Sequence, residues 1–124
     1  MINIKTLLVA TILLVSHQFF SLQAAEENKR YDKYNVEVFK TPSCGCCYGY
    51  VLFLEQEKFK VKQTDMRSLH AIKQKYNIPV EMQSCHTTIM GKYFIEGHVP
   101  FEAVNKLLKD QPDIDGIALP GMPI

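Results

Sequence analysis

The feature that most constrains this chain is a crowded group of cysteines in "TPSCGCCYGY", residues 41–50. Three of the four cysteines of the chain, Cys44, Cys46 and Cys47, lie in this short stretch. Cys44 and Cys47 have the C-x-x-C spacing of a dithiol redox pair, and Cys46 stands between them. The stretch is therefore compatible with a disulfide catalyst, with structural disulfides, or with a soft-metal site.

The start of the chain has the pattern of a secretory signal peptide, with a basic residue (Lys5), an apolar run over residues 7–15, and small residues before the first acidic side chain. We predict a signal peptide over residues 1–25 and one domain over residues 26–124, exported and free of the membrane after cleavage. An uncleaved anchor is the alternative, because Gln23 is large for its place next to a cleavage site.

The charge balance limits the partners of the chain. It has 14 Lys and Arg against 13 Asp and Glu, a formal net charge of +1, and no basic block. This balance argues against nucleic acid as a partner. An exported protein also meets an oxidising compartment, where cysteines persist when they are paired, metallated or catalytic.

The remaining pattern predicts alternating strands and helices. Alternating apolar residues indicate strands, apolar residues at helical spacing indicate helices, and Gly91-Lys92 between two short apolar runs indicates a hairpin. The predicted elements are strands over residues 34–40 and 59–65, helices over 47–58, 69–76 and 100–109, and a hairpin over 86–97. The Gly- and Pro-rich tail, residues 114–124, is predicted to be irregular.

This order, β-α-β-α-β-β-α with a C-x-x-C motif between the first strand and the first helix, is similar to a thioredoxin-type fold. We therefore predict an α/β, thioredoxin-like, single small domain with a central mixed sheet flanked by helices. In that fold the residues that enter the hairpin, here "QSCHT", pack against the motif. The analogy predicts that Cys85 lies against residues 44–47.

The cysteine spacing favours a metal over a disulfide catalyst. A helix N-terminus stabilises thiolates, which both attack disulfides and bind soft metals. A catalyst needs two thiols, and a third beside them invites wrong pairings, whereas every extra thiolate strengthens a soft-metal site. Among the candidate ions, Cu(I) is the softest and matches a site of several thiolates best. Zinc is a weaker match because its cysteines usually come in two separated pairs.

Three stretches of the chain carry a resemblance to a known family. "TPSCGCCYGYVLFLEQEKFKVK", "IPVEMQSCHTTIMGKYFIEGHVP" and "GIALPGMP" are similar to the CopG-type copper-resistance proteins, which are small exported thioredoxin-like proteins. The resemblance implies periplasmic copper handling and a copper cluster with more than one Cu(I) ion per chain. The ligands that it implies are Cys44, Cys46, Cys47 and Cys85.

Residues around the cysteines are weaker candidates. His86 and Met82 are predicted to lie in the second shell of the metal. Because neighbours on a strand face opposite sides, His86 is expected to point away if Cys85 faces the cluster. His98 is expected to hydrogen-bond locally, and His70 is expected to be solvated.

These interpretations lead to one function and its alternative. We predict an exported copper-binding protein that holds Cu(I) for copper tolerance or redox buffering. It would be a metal-binding protein more than an enzyme, with copper redox or electron transfer as its activity. Its expected partners are copper ions, copper exporters and periplasmic copper proteins. The alternative is a thiol–disulfide oxidoreductase that uses Cys44 and Cys47, and two structural disulfides are the plainer interpretation.

Overall fold

The structure is a computed structural model that describes residues 31 and 33–121. The chain divides into two units, residues 1–33 and 34–124, and the strands, helices and cysteines described here lie in the second. The predicted signal peptide and its cleavage site lie outside the described residues. Among the residues described, no helix has the length and apolar character needed to cross a membrane.

The described residues of the second unit form five strands, three α-helices and one 3₁₀ turn. The strands are β1 (Val36–Lys40), β2 (Val61–Asp65), β3 (Thr87–Met90), β4 (Tyr93–Glu96) and β5 (Gly116–Ala118). The helices are α1 (Gly45–Gln56), α2 (His70–Lys75) and α3 (Phe101–Asp110), and the 3₁₀ turn is Val80–Met82.

The strands form one mixed sheet in the order β2-β1-β3-β4-β5. β1 is parallel to β2 and antiparallel to β3, while β3 and β4 form the predicted antiparallel hairpin. The prediction of a single small α/β domain with a mixed sheet and helices is confirmed. Its assignment to the thioredoxin-like folds stays a prediction.

Helix α1 and the hairpin both contribute to the core, and together they position the cysteines. The inner face of α1 buries Cys47, Tyr50, Val51 and Leu54, which recur at the spacing of helical turns. All four positions of β3 and all four of β4 are buried. The start of α1 and the open end of the hairpin are therefore both held by buried residues.

The prediction of an irregular tail is wrong in one respect. Residues 116–118 form β5, which pairs in parallel with β4. A three-residue strand is too short to show a period of two in the sequence. Gly116 also permits the pairing, because a Cβ at this position would lie 2.1 Å from the carbonyl oxygen of Phe94.

Candidate metal centre

Three cysteines lie at the first turn of α1. Cys44 is the N-cap residue, and its backbone N–H donates to the carbonyl of Thr41 at 3.1 Å. Cys44 and Cys47 form a disulfide with a Cα–Cα distance of 5.3 Å. Cys46 is a free thiol whose Sγ lies 3.5 Å from that of Cys44. The turn that precedes α1 therefore gathers three sulfur atoms at one helix end.

The fourth cysteine comes from the hairpin. The Sγ of Cys47 lies 3.5 Å from the carbonyl oxygen of Cys85, across 38 positions of sequence. The sulfur atoms of all four cysteines lie within 4.8 Å of one another. The predicted packing of Cys85 against residues 44–47 is thus observed. Metal binding by the four sulfurs stays a prediction, and in this structure two of them are joined as a disulfide.

His86 contradicts its expected orientation. Its side chain is fully buried, and its Nδ1 lies 3.3 Å from the Sγ of Cys85, so it points toward the cysteines. The expectation relied on strand alternation, but β3 begins only at Thr87, and the two residues before it do not follow the pleat. His86 therefore belongs to the same pocket as Cys85.

His98 also reaches this pocket, and the expectation of a local hydrogen bond is wrong. Its Nε2 lies 3.1 Å from the carbonyl oxygen of Cys46, 52 positions away. A carbonyl only accepts, so Nε2 carries a proton, and in the neutral ring the lone pair is on Nδ1. That Nδ1 lies 3.7 Å from the Sγ of Cys85. Cys85, His86 and His98 thus form a second group whose donor atoms all lie within 4.8 Å of one another.

The hairpin itself was the signal for His98. Thr87 pairs with Glu96, so the residues just before β3 lie beside those just after β4. A hairpin brings its two open ends together, and any predicted hairpin with Cys85 at one end therefore places the residues after β4 near that cysteine. The predicted hairpin was therefore a signal for His98 as well as for Cys85.

Burial and nearby charge set the protonation of the pocket. Burial raises the pKa of the Cys85 thiol, and the charge of the neighbouring Cys46 raises it as well, while the Ser84 hydroxyl opposes both. Burial lowers the pKa of His86 to about 3, with the charges of His98 and Lys73 acting in the same direction. His86 is therefore neutral near pH 7, as a metal ligand or a hydrogen-bond acceptor must be.

Tyr50 covers the histidines from the helix side. Its ring centroid lies 4.6 Å from that of His86 and 5.5 Å from that of His98. Its hydroxyl donates to the carbonyl of Val99 at 3.0 Å, and burial raises its pKa. Tyr50 therefore shields the histidines, whereas the neighbouring Tyr48 is half-exposed.

A buried ion pair holds the hairpin end of the site. Lys73 on α2 pairs with Glu96 on β4, and both side chains are buried. Glu96 also accepts from the Ser84 N–H and from the Thr87 hydroxyl, each at 2.6 Å. Lys73 donates further to the Ser84 carbonyl at 3.1 Å and to Thr87 at 3.2 Å. The segment that carries Cys85 is thereby fixed at its two ends.

Two other residues singled out in the sequence, Met82 and His70, are exposed. Met82 ends the 3₁₀ turn and is exposed, so its role as a second-shell thioether stays a prediction. His70 begins α2 and is exposed, as expected. Its backbone N–H lies 3.3 Å from the Ser68 hydroxyl oxygen.

Fold and site together define a small mixed α/β protein with a cysteine-rich centre at a helix N-terminus. Two solved structures are similar to it. One, named "Copper resistance protein copG- Form 2", is 36% identical, with a TM-score of 0.69 and 73% of each chain covered. The other, "Copper resistance protein copG- Form 1", is 37% identical, with a TM-score of 0.67, covering 72% of this chain and 70% of that one. The chain belongs to the CopG family.

A family model also matches residues 82–124, which include Cys85, both site histidines and the tail. Its description is "Protein of unknown function, DUF411". No curated protein sequence matches the chain.

Proposed function

We propose that this protein is an exported copper-binding protein that holds Cu(I) in a multinuclear cysteine-thiolate cluster, for copper tolerance or copper redox buffering. The observation that carries the proposal is the gathering of all four cysteine sulfurs within 4.8 Å of one another. Four thiolates around one ion at ~2.3 Å would lie about 3.8 Å apart, by tetrahedral geometry. The names of the two similar structures give copper as the metal.

Because Cys44 and Cys47 are joined as a disulfide, copper binding by all four cysteines requires a redox step. Reduction of the Cys44–Cys47 bond by an external dithiol, which is itself oxidised to a disulfide, gives two thiolates, and only then do all four sulfurs become ligands. In the opposite direction, the two thiolates pass one electron each to two Cu(II) ions, which yields the disulfide and two Cu(I) ions. The same pocket can therefore hold Cu(I) and adjust its oxidation state.

Metal counting tests the proposal directly. The protein is reduced with a dithiol under anaerobic conditions, freed of reductant, loaded with Cu(I), and analysed for copper and protein. We expect more than one ion per chain. The matched variant is Cys85→Ser, which removes one thiolate far from the C-x-x-C pair in sequence, and we expect it to hold fewer ions per chain. Full loading of this variant at wild-type affinity would refute the cluster.

The disulfide also favours a second candidate, a thiol–disulfide oxidoreductase that uses Cys44 and Cys47. The pair lies at the N-terminus of α1, where the helix dipole stabilises a thiolate. Such an enzyme would reduce a disulfide-bonded protein substrate without stoichiometric metal, and Cys46→Ser would leave that activity largely intact. Turnover by metal-free protein, with no copper bound by the reduced chain, would favour this function.

Export is part of the proposal. We expect a mature N-terminus at Glu26 or Ala25, in the periplasm, with copper exporters or periplasmic copper proteins receiving the metal. N-terminal sequencing of the protein from a periplasmic extract tests this expectation. Recovery of the chain with Met1 intact in the membrane fraction would replace it with an anchored form.

A further inference from the structure

We propose that Cys85, His86 and His98 form a mixed thiolate–imidazole site for a divalent ion of borderline softness, such as Zn(II), while the Cys44–Cys47 disulfide is closed. We call these three residues the mixed site. The inference deepens the proposed function, on which it rests for the premise that this pocket takes metal. It adds a second class of ion and a second ligand set, selected by the oxidation state of the chain.

The distances within the mixed site match those of a metal tetrahedron. A thiolate at about 2.3 Å and an imidazole nitrogen at about 2.05 Å from Zn(II) lie about 3.6 Å apart at a tetrahedral angle. The Cys85 Sγ lies 3.3 Å from the Nδ1 of His86 and 3.7 Å from the Nδ1 of His98. Both sulfur–nitrogen distances thus already suit one ion with the disulfide in place, and the three donor atoms all lie within 4.8 Å of one another.

The orientation of His98 is also that of a ligand. Its Nε2–H donates to the carbonyl of Cys46, which fixes both the ring and the tautomer. Metal-binding histidines are commonly held in this way through the nitrogen that does not bind the metal. The free lone pair on Nδ1 then faces Cys85. In His86, Nε2 is buried and makes no hydrogen bond within the described residues, so its Nδ1 is the nitrogen that engages the pocket.

The disulfide determines which ion fits. With Cys44 and Cys47 joined, two soft thiolates leave the donor set, and the nitrogens of His86 and His98 become half or more of what remains. Imidazole with thiolate suits borderline ions, whereas an all-thiolate set suits Cu(I). Cys46 is still a free thiol and its Sγ lies within 4.8 Å of that of Cys85, so it can complete the tetrahedron.

The experiment uses oxidised protein and ions that do not oxidise thiols. The Cys44–Cys47 disulfide is verified by mass spectrometry, and the protein is titrated anaerobically with Co(II) and then with Zn(II) as competitor. We expect one Co(II) per chain, a thiolate-to-cobalt charge-transfer absorption band, tetrahedral d–d bands, and displacement by Zn(II). An oxidised wild-type protein that takes up no Co(II) would overturn the proposal.

The variant is His98→Gln, whose amide can still donate to the Cys46 carbonyl but offers no imidazole lone pair. We expect Co(II) affinity to fall by at least the ~10–100-fold that loss of a supporting partner costs at metal sites. The matched control is His70→Gln on the exposed start of α2, which should bind as the wild type does. Equal affinity of His98→Gln and the wild type would refute the mixed site.

Cu(I) loading of the reduced chain separates this inference from the proposed function. If reduced wild-type protein binds no copper while oxidised protein binds Co(II), the proposed function fails and the mixed site stands. If reduced protein loads copper and oxidised protein binds no Co(II), the mixed site fails alone.

Discussion

The site has two halves that are held by different forces. The loop half, residues 44–47, is held locally by one helix turn and one disulfide. The hairpin half, residues 84–87 with 97–98, is held by the buried Lys73–Glu96 pair and by close packing. The proposed redox step would benefit from this division, because the loop half can change its bonding while the hairpin half keeps its donors in place.

The free energy of unfolding should fall most when the ion pair of the hairpin half is broken. Glu96→Ala leaves the Lys73 ammonium buried without a counter-charge, and we expect a loss of about 3–5 kcal/mol in the free energy of unfolding. Urea unfolding measures it. Replacing both partners with apolar residues, Lys73→Met with Glu96→Leu, should cost less than Glu96→Ala alone. If Glu96→Ala were as stable as the wild type, the ion pair would not anchor the hairpin half.

Gly97 should be the next most sensitive position. Its φ is +77°, and a Cβ there would lie 2.5 Å from the Leu119 carbonyl oxygen and 2.8 Å from the Cβ of Ser84. Gly97→Ala should therefore cost about 1–3 kcal/mol, the usual strain of such a conformation, or more from the contact with backbone. Thermal and urea unfolding measure the loss.

The control for Gly97 lies in α1, two residues beyond the loop half. Gly49 is within α1, and a Cβ there would meet nothing within 4 Å. Gly49→Ala should stabilise the protein by about 0.5–1 kcal/mol, because alanine loses less backbone entropy in a helix. Equal effects of the two substitutions would show that Gly97 is not more tightly packed than Gly49.

Acid should weaken the hairpin half through His86. The unfolded chain takes up a proton on this residue near pH 6.5, whereas the folded chain does so only near pH 3. Stability is therefore full above about pH 6.5 and falls as pH falls toward 3, by up to about 1.4 kcal/mol per unit. Urea unfolding of metal-free protein between pH 7 and 5 measures the slope. His86→Gln should flatten it and His70→Gln should not; an unchanged slope in both would remove His86 as its source.

Substitution in the loop half should change the free energy of unfolding least, but it should change the number of bound copper ions strongly. Cys46 is a partly exposed free thiol, and serine has a similar size, so Cys46→Ser should leave the circular dichroism spectrum and unfolding midpoint nearly unchanged. In a bridged cluster its loss should still reduce the number of Cu(I) ions per chain, about as severely as Cys44→Ser. Elemental analysis of the reduced protein measures the number of copper ions per chain. Full copper content at unchanged affinity would show that Cys46 is not a copper ligand.

Local pattern alone determined the elements and the loop half. Alternation and helical spacing predicted four strands and three helices close to their observed bounds, because those signals depend on neighbours in sequence. The crowded cysteines follow from the same logic, since three sulfurs within one helix turn are close in any fold that forms that turn. Strand β5 was missed because three residues carry no readable period.

Tertiary structure alone decided the hairpin half. The placement of Cys85 was predicted only by analogy with a fold. His86 was predicted to lie in the second shell of the metal but to point away from the cysteines, and the pocket position of His98 was not predicted. Their proximity depends on the register of β3 with β4 and on where β3 begins, which single-residue shifts would change. The buried Lys73–Glu96 pair spans 23 positions of sequence, and no short-range pattern encodes which charges a folded core brings together. The sequence therefore determined which donors the protein has, while packing decided which of them share a pocket.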